Sequence, residues 1–373
     1  MSDECRILIL GGLGMVGRNL VKYLVDYQLA TFIRVVDKQL PDMAYLSPHF
    51  KTYFTPSSTF EFIQADLSVE EHVSRAFETN KHNEFTFNVV INVAAETVYG
   101  HSETKYERHI LQLRTLCAQK AATILKLEKY IEVSTAQVYE CANDKPSKES
   151  SKSLKPWTCL AKYHLLAENV VSQIKGLAYV IARVPIVYGP GDVRGIMSRI
   201  VCAAVYESSK EKMSFLWGED LRMHTVHAQD AAAGIWHLVC NAEVGQIYNI
   251  VDDGDTSQGS FNKNLEAVFK ISTSFYGTML STIAKLKLEE LVDRANDGHL
   301  GPWNKLLQAA NISGSPLTPY IEKELLYHNP ICIDGSKLKA LGFQCSCPKM
   351  TPELLRDAVE YWRALRLFPP AAS

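Results

Sequence analysis

Four glycines, Gly11, Gly12, Gly14 and Gly17, follow directly on an apolar run from Ile7 to Leu10 and lead into an amphipathic stretch from Met15 to Leu29. That order reads as a strand, a glycine turn and the start of a helix. Such a turn leaves backbone N–H groups free at the positive end of a helix, where a dinucleotide pyrophosphate can sit. Glycine turns also serve packing alone, so a second group has to support the reading. Phe32 to Val36 forms the next β-favouring run and ends on Asp37. This acid lies about 20 residues beyond the last glycine, the distance at which a carboxylate hydrogen-bonds an adenosine ribose. A carboxylate there repels a 2′-phosphate, which favours NAD over NADP; the adjacent Lys38 softens that preference.

Other chemistry-bearing groups carry less. His224 and His227 lie near Asp230, but on a strand residues three apart face opposite sides and cannot share a metal. Cys345 and Cys347 lack a matching second pair or nearby histidines. No metal site is expected. With a formal charge of −2 over 373 residues there is no electrostatic reason to bind nucleic acid. Nine cysteines, scattered through apolar segments, suit a reducing compartment, and no apolar leader opens the chain, so a cytoplasmic location is expected. Phe275 to Leu288 is the most membrane-like stretch, but Lys285 and Lys287 interrupt it and it is too short to span. It is expected to be a helix of the second half, with no integral membrane segment.

The elements that must position these groups alternate between short β-rich runs and helical patterns. Strands are expected at Phe60 to Gln64, Phe87 to Val93, Tyr130 to Val133 and Ala178 to Arg183. Helices are expected at Val69 to Thr79, Ser102 to Leu127 and Trp157 to Ile174, with loops at Leu40 to Ser58 and Asp144 to Lys155. Phe87 to Val93 is continuously apolar, as a strand buried on both faces must be. The fold class is therefore α/β, a Rossmann-type doubly wound parallel sheet. The expected division is a dinucleotide-binding part over 1–190, with 222–252 returning to it. A smaller, mainly helical substrate lobe would come from 191–221 and 253–373. In the second half, helix is expected over Ile196 to Ser208, strands over Met213 to Trp217 and Arg222 to His227, and helix from Phe261 to Tyr327 with a break near Asp297 to Trp303.

Several segments then carry a resemblance: GGLGMVG at Gly11 to Gly17, NVAAE at Asn92 to Glu96, STAQVYE at Ser134 to Glu140, RVPIVYGPGD at Arg183 to Asp192, HAQD at His227 to Asp230, and DGSKLKALGF at Asp334 to Phe343. In this order the chain resembles the extended short-chain dehydrogenase/reductases, the group of NAD-dependent epimerases, dehydratases and 3β-hydroxysteroid dehydrogenases. The resemblance implies that Gly11, Gly14, Met15 and Gly17 cradle the pyrophosphate of NAD and that Asp37 binds the ribose. Asp66 and Leu67 would bracket the adenine, Ala94 and Ala95 would line the middle of the cofactor, and Pro185 would lie beside the nicotinamide. It also implies a homodimer paired through the two long helices, and a small-molecule substrate: a nucleotide sugar, a sterol-like compound or another alcohol or ketone.

The family's acid/base pair is another matter. Its hydride chemistry uses a tyrosine and, four residues later, a lysine that lowers the phenol's pKa and holds the nicotinamide ribose. A phenol needs about three units of depression to act near neutrality. Here the segment reads PWTCLAKYHLLAE. If Lys162 is the family lysine, its partner is Thr158; if Glu168 sets the register, the pair becomes Leu160 and His164. Neither register supplies a tyrosine, and a threonine hydroxyl is too weak an acid to replace one. Thr135 occupies the place of the family hydroxyl that holds the reacting oxygen. Ala136 and Gln137 stand where 4,6-dehydratases carry an acid pair, which argues against that elimination. Arg222 is one residue away from the diphosphate-binding arginine of nucleotide-sugar enzymes. The expectation is an NAD-dependent oxidoreductase or epimerase-like protein with a non-standard acid/base. Lys162 would hold the ribose, Thr135 the oxygen, and His164, His109 or Tyr163 would move the proton. The alternative is a catalytically silent NAD-binding sensor or scaffold.

Overall fold

The computed structural model describes residues 5–78 and 86–371. Seven parallel strands form the central sheet. They are β1 (Arg6–Leu10), β2 (Phe32–Asp37), β3 (Phe60–Gln64), β4 (Val89–Asn92), β5 (Lys129–Thr135), β6 (Tyr179–Val184) and β7 (Ile247–Asn249), in the spatial order 3-2-1-4-5-6-7. Alternate residues of β1 enter opposite layers: Ile7 and Ile9 join one apolar cluster, Leu8 and Leu10 the other. A strand with two buried faces needs no polar alternation, and this explains its unbroken apolar run. Helices cover both faces. Helix α1 (Met15–Asp26) packs on the Ala228–Asn241 helix, while the Glu70–Phe77, Leu113–Ala121 and Cys159–Gln173 helices pack in sequence on the other side.

The chain reverses its direction of travel across the sheet between β1 and β4. Leu10 at the end of β1 lies between Val36 of β2 and Asn92 of β4, so the three strand ends open a crevice at one edge. Ligands of open α/β sheets bind in such a crevice.

Four expectations need correction. The Ser102 to Leu127 helix is not uniform: Glu103–Tyr106 is α-helical, Glu107–Gln112 widens into a π-turn, and Leu113–Ala121 resumes the α-helix. Leu40 to Ser58 contains the helical turn Pro48–Thr52, because Ser47 caps it through Phe50 N and Pro48 fits the first helical position. The Phe261 to Tyr327 helix is interrupted elsewhere than expected, by the strand Thr273–Phe275 and again after Ala309, and the break near Asp297 to Trp303 does not occur. The Leu288–Ala309 helix runs through Pro302, whose neighbour Trp303 is buried with its indole N–H donating to Leu317 O at 3.1 Å. Tertiary packing there outweighs the proline's local cost. Finally, only Thr225–His227 of the Arg222 to His227 run is a strand, and it pairs with Ile186–Tyr188 outside the main sheet. The expected Val69 to Thr79 helix spans Glu70–Phe77, and Thr79 lies outside the described residues. Among the described residues no helix is long and apolar enough to cross a membrane.

Candidate active site

The crevice deepens into a cleft of about 1120 Å³. Its entrance is the glycine turn. Gly11 has φ +82°, and a Cβ there would lie 2.6 Å from Ala94 Cα; a Cβ on Gly17 would lie 2.5 Å from Gly11 O. These two glycines close the turn against β4 and against itself. Gly14 differs: it caps α1 with φ −62°, and a Cβ would meet only Gly11 O at 3.4 Å. Asp37 stands beside the turn, accepting from Leu13 N at 3.0 Å and Gln39 N at 3.1 Å. Burial raises its carboxyl above the usual range, against the pull of these bonds. Asp66 accepts from Ser68 N at 3.0 Å and Ser68 Oγ at 2.8 Å. Burial pushes this carboxyl up, but the Ser68 bonds outweigh it and hold the group below its ordinary value. Met15, Leu67, Ala94, Ala95 and Pro185 complete the lining. The structure thus brings every expected cofactor residue except Lys162 to one cleft, around a bare glycine cradle next to a helix N-terminus. Those features fit a dinucleotide.

At the inner end, one face of the Cys159–Gln173 helix reaches the cleft. Leu160 and His164 line it; Lys162 and Thr158 do not. Lys162 is exposed and its amine pairs with Glu103 at 3.0 Å. The assignment of Lys162 to the cofactor ribose is corrected on this ground: one hundred degrees per residue turns position 162 away from the face shared by 160 and 164. Thr158 is the cap of the Cys159–Gln173 helix, accepting from Ala161 N at 3.0 Å and donating to Gln137 Oε1 at 2.9 Å. Its role is local folding. Tyr163 donates to Glu103 at 3.2 Å outside the cleft, and Tyr139 is buried with its hydroxyl on Asn249 at 2.9 Å. Neither phenol is available. A Lys162→Ala protein is therefore expected to keep its NAD affinity within about twofold by calorimetry, as loss of an exposed ion pair remote from a ligand should.

His164 lines the cleft four residues after Leu160. Its Nδ1 is buried with no hydrogen-bond partner among the described residues. Burial, helped by the nearby Arg114 guanidinium, pushes its pKa well below the ordinary imidazole value, so the ring is neutral at neutral pH. His109 also lines the cleft, on the π-turn, and burial lowers its pKa too. Thr135 lines the cleft, with Oγ1 accepting from Gln137 N at 3.2 Å.

A phenol does reach this end, from the opposite wall. Tyr99 lines the cleft and accepts from Gln137 Nε2 at 2.8 Å, while Gln137 in turn is fixed by Thr158. Because Gln137 fills an acceptor position on the phenol oxygen, the Tyr99 O–H remains a donor. Burial pushes this phenol up to about 12. Sequence reasoning missed Tyr99 because no spacing rule links it to position 160; only the sheet places the segment after β4 beside the segment after β5. The tempting histidines are otherwise engaged. His224 Nε2 contacts Asp255 at 3.0 Å, His227 caps the Ala228–Asn241 helix, and Asp230 accepts from Ser346 and Cys347 N–H groups at 2.8 Å each. Arg222 lines the cleft, but pairs with Asp255 at 3.1 Å.

The comparisons with known proteins agree with this geometry. A sequence profile of the NAD dependent epimerase/dehydratase family matches residues 7–251. The human dTDP-D-glucose 4,6-dehydratase is 24% identical over 326 residues, covering 85% of this chain and 86% of that protein. A dTDP-glucose 4,6-dehydratase from Streptomyces venezuelae, solved with NAD, superposes with a TM-score of 0.69 at 17% identity, covering 96% of this chain and 97% of the other. The Thermus thermophilus UDP-glucose 4-epimerase, also solved with NAD, gives 0.65 at 18% identity and covers 96% and 99%. At these identities the superpositions speak for the fold alone, whereas the profile spans well over half of the chain. The chain belongs to the NAD-dependent epimerase/dehydratase family.

Proposed function

We propose that this protein is an NAD-dependent oxidoreductase or epimerase acting on an alcohol or ketone, with its proton-carrying phenol moved from the Cys159–Gln173 helix to Tyr99. The observation that carries the reading is the Thr158–Gln137–Tyr99 chain, which holds a phenol in the lining of the cleft that Thr135 also lines and leaves its O–H free to donate. NAD would be held by Gly11, Gly14, Met15, Gly17, Asp37, Asp66, Leu67, Ala94, Ala95 and Pro185, and supplies hydride acceptance and return when bound. Thr135 hydrogen-bonds the reacting oxygen. Tyr99, undepressed and protonated at neutral pH, serves as acid only: it donates to a carbonyl oxygen as it becomes an alcohol and regains a proton from solvent, and proton abstraction in the reverse direction needs another base. His164 offers a neutral hydrogen-bonding group where the family has a charged lysine. It can orient a ribose hydroxyl but supplies no positive charge to depress a phenol. Elimination of the dehydratase kind lacks its acid, since Ala136 and Gln137 carry no carboxylate.

One observation favours a second reading, a silent NAD-binding sensor or scaffold: the face of the Cys159–Gln173 helix that lines the cleft presents Leu160, whose side chain moves no proton. The two separate in one assay. Protein offered reduced NAD and a panel of aldehydes and ketones is expected to consume the reduced-nicotinamide absorbance. Tyr99→Phe is expected to cut that rate by about 10²–10⁴ without changing NAD affinity. Tight NAD binding with no absorbance change across the panel would establish the silent reading instead.

A further inference from the structure

Beyond Thr135 and Tyr99 the cleft continues between the Gly277–Lys285 and Leu288–Ala309 helices, and its wall there is apolar: Phe215, Trp217, Leu280, Leu288, Val292 and Leu326. Several polar side chains of this wall are committed to the protein, while those of Tyr276, Tyr327 and Asn329 are neutral and have no hydrogen-bond partner among the described residues. Gln258 Nε2 donates to Leu216 O at 2.8 Å, and Trp217 Nε1 to Leu326 O at 2.8 Å. Asn296 exchanges both of its amide bonds with Ile321, at 3.1 and 3.0 Å. His299 Nε2 meets the Tyr206 hydroxyl at 3.1 Å.

Arg199 differs from all of these in carrying an unpaired charge. It projects from the Met197–Ser209 helix into the cleft, half-buried, and its guanidinium has no hydrogen bond or ion pair among the described residues. The other inward guanidiniums are bonded: Arg18 to Leu13 O and the Tyr361 hydroxyl, Arg114 to Glu132, Arg222 to Asp255. Arg194, also on the cleft, is exposed. Burial holds Arg199 below its ordinary pKa, the mark of a desolvated cation without a counter-charge. An unpaired cation against an apolar wall is costly unless a ligand brings the anion. Arg199 is the half-buried unpaired cation of this part of the cleft, and most of the surface around it is apolar.

We propose that the substrate is an amphiphile: an apolar body seated against Phe215, Trp217, Leu280 and Leu288, and one anionic group, a carboxylate, sulfate or phosphate monoester, paired with Arg199. This rests on the reading that the cleft takes a substrate beside the dinucleotide. It departs from the nucleotide-sugar ligands named for the relatives.

Calorimetry on NAD-saturated protein tests it with three probes, decanoate, decanol and UDP-glucose. Decanoate is expected to bind one per chain and decanol at least about tenfold more weakly, as one charge-assisted bond implies. UDP-glucose is expected not to bind. Arg199→Gln should bring decanoate down to the level of decanol while leaving decanol unchanged, and Arg199→Lys should restore most of the difference. Equal binding of decanoate and decanol by the wild type overturns the proposal without recourse to any variant, as does tighter binding of UDP-glucose. The NAD titration that precedes the probes separates the two failures. Protein that takes NAD and decanoate but transfers no hydride with the aldehyde and ketone panel sinks only the redox reading, whereas protein that takes NAD and no decanoate sinks only this one.

Discussion

A Gly14→Ala protein is expected to fold as the wild type does and to bind NAD about a hundredfold more weakly. Three of the four glycines of the turn have separable reasons to be glycine. Gly11 is held at positive φ against Ala94, and Gly17 packs α1 onto the carbonyl of Gly11. Both would be required in a turn that bound nothing. Gly14 has φ −62° and ψ 169°, open to any residue, and a Cβ there would touch one carbonyl oxygen at ordinary contact distance. Its missing side chain has no intramolecular use. What it leaves bare is the face of the turn that looks into the cleft, where a pyrophosphate must come within hydrogen-bonding distance of backbone N–H groups. Alanine is a poorer helix cap than glycine, a change worth at most about 1 kcal/mol of stability. Gly17→Ala should lose folding stability and NAD binding together. Calorimetry with NAD and thermal melts of both variants check the pair. A Gly14→Ala protein that binds NAD as tightly as the wild type would falsify the cradle.

That contrast also shows how far the sequence could be read. Gly11 to Gly17, Asp37 and the unbroken apolar strands are local signals, and they were enough for the sheet, its parallel sense and the crevice. Each depends on residues within a few positions of one another. The reacting end is built otherwise. Position 160 or position 158 could equally be the family tyrosine from the letters alone, because Lys162 and Glu168 point to different registers. Only the helix's orientation against β5 and β6 shows that 160 and 164 face inward. Tyr99, Gln137 and Arg199 come from three separate crossovers, and their meeting is a property of strand order. The continuous helix through Pro302 was misread for the same reason: Trp303 is held by Leu317, whose distance in sequence hides the contact.

The same register places the largest expected stability effect. Leu160, His164 and Glu168 follow at intervals of four, and Glu168 is where that face leaves the cleft and meets β6. Its carboxylate takes both sides of the Arg183 guanidinium, Nε at 3.1 Å and Nη2 at 2.5 Å, and both side chains are buried. Arg183 also lies over the Tyr139 ring at 4.7 Å. The pair ties the helix that carries His164 to the strand that leads into Pro185. Glu168→Ala leaves the guanidinium buried without its counter-charge, and the expected loss is about 3–5 kcal/mol, read as a shift in the urea unfolding midpoint. The double variant Glu168→Leu/Arg183→Met removes both charges at similar volume, and it should recover most of that loss, since replacing a whole buried pair is far cheaper than halving it. A single variant no less stable than the wild type would show that Arg183 finds another partner. A double variant as unstable as the single would place the cost in packing rather than in charge. Recovery of stability together with wild-type NAD binding would then locate the pair's role in the helix's position, upstream of any chemistry that Tyr99 and Thr135 perform.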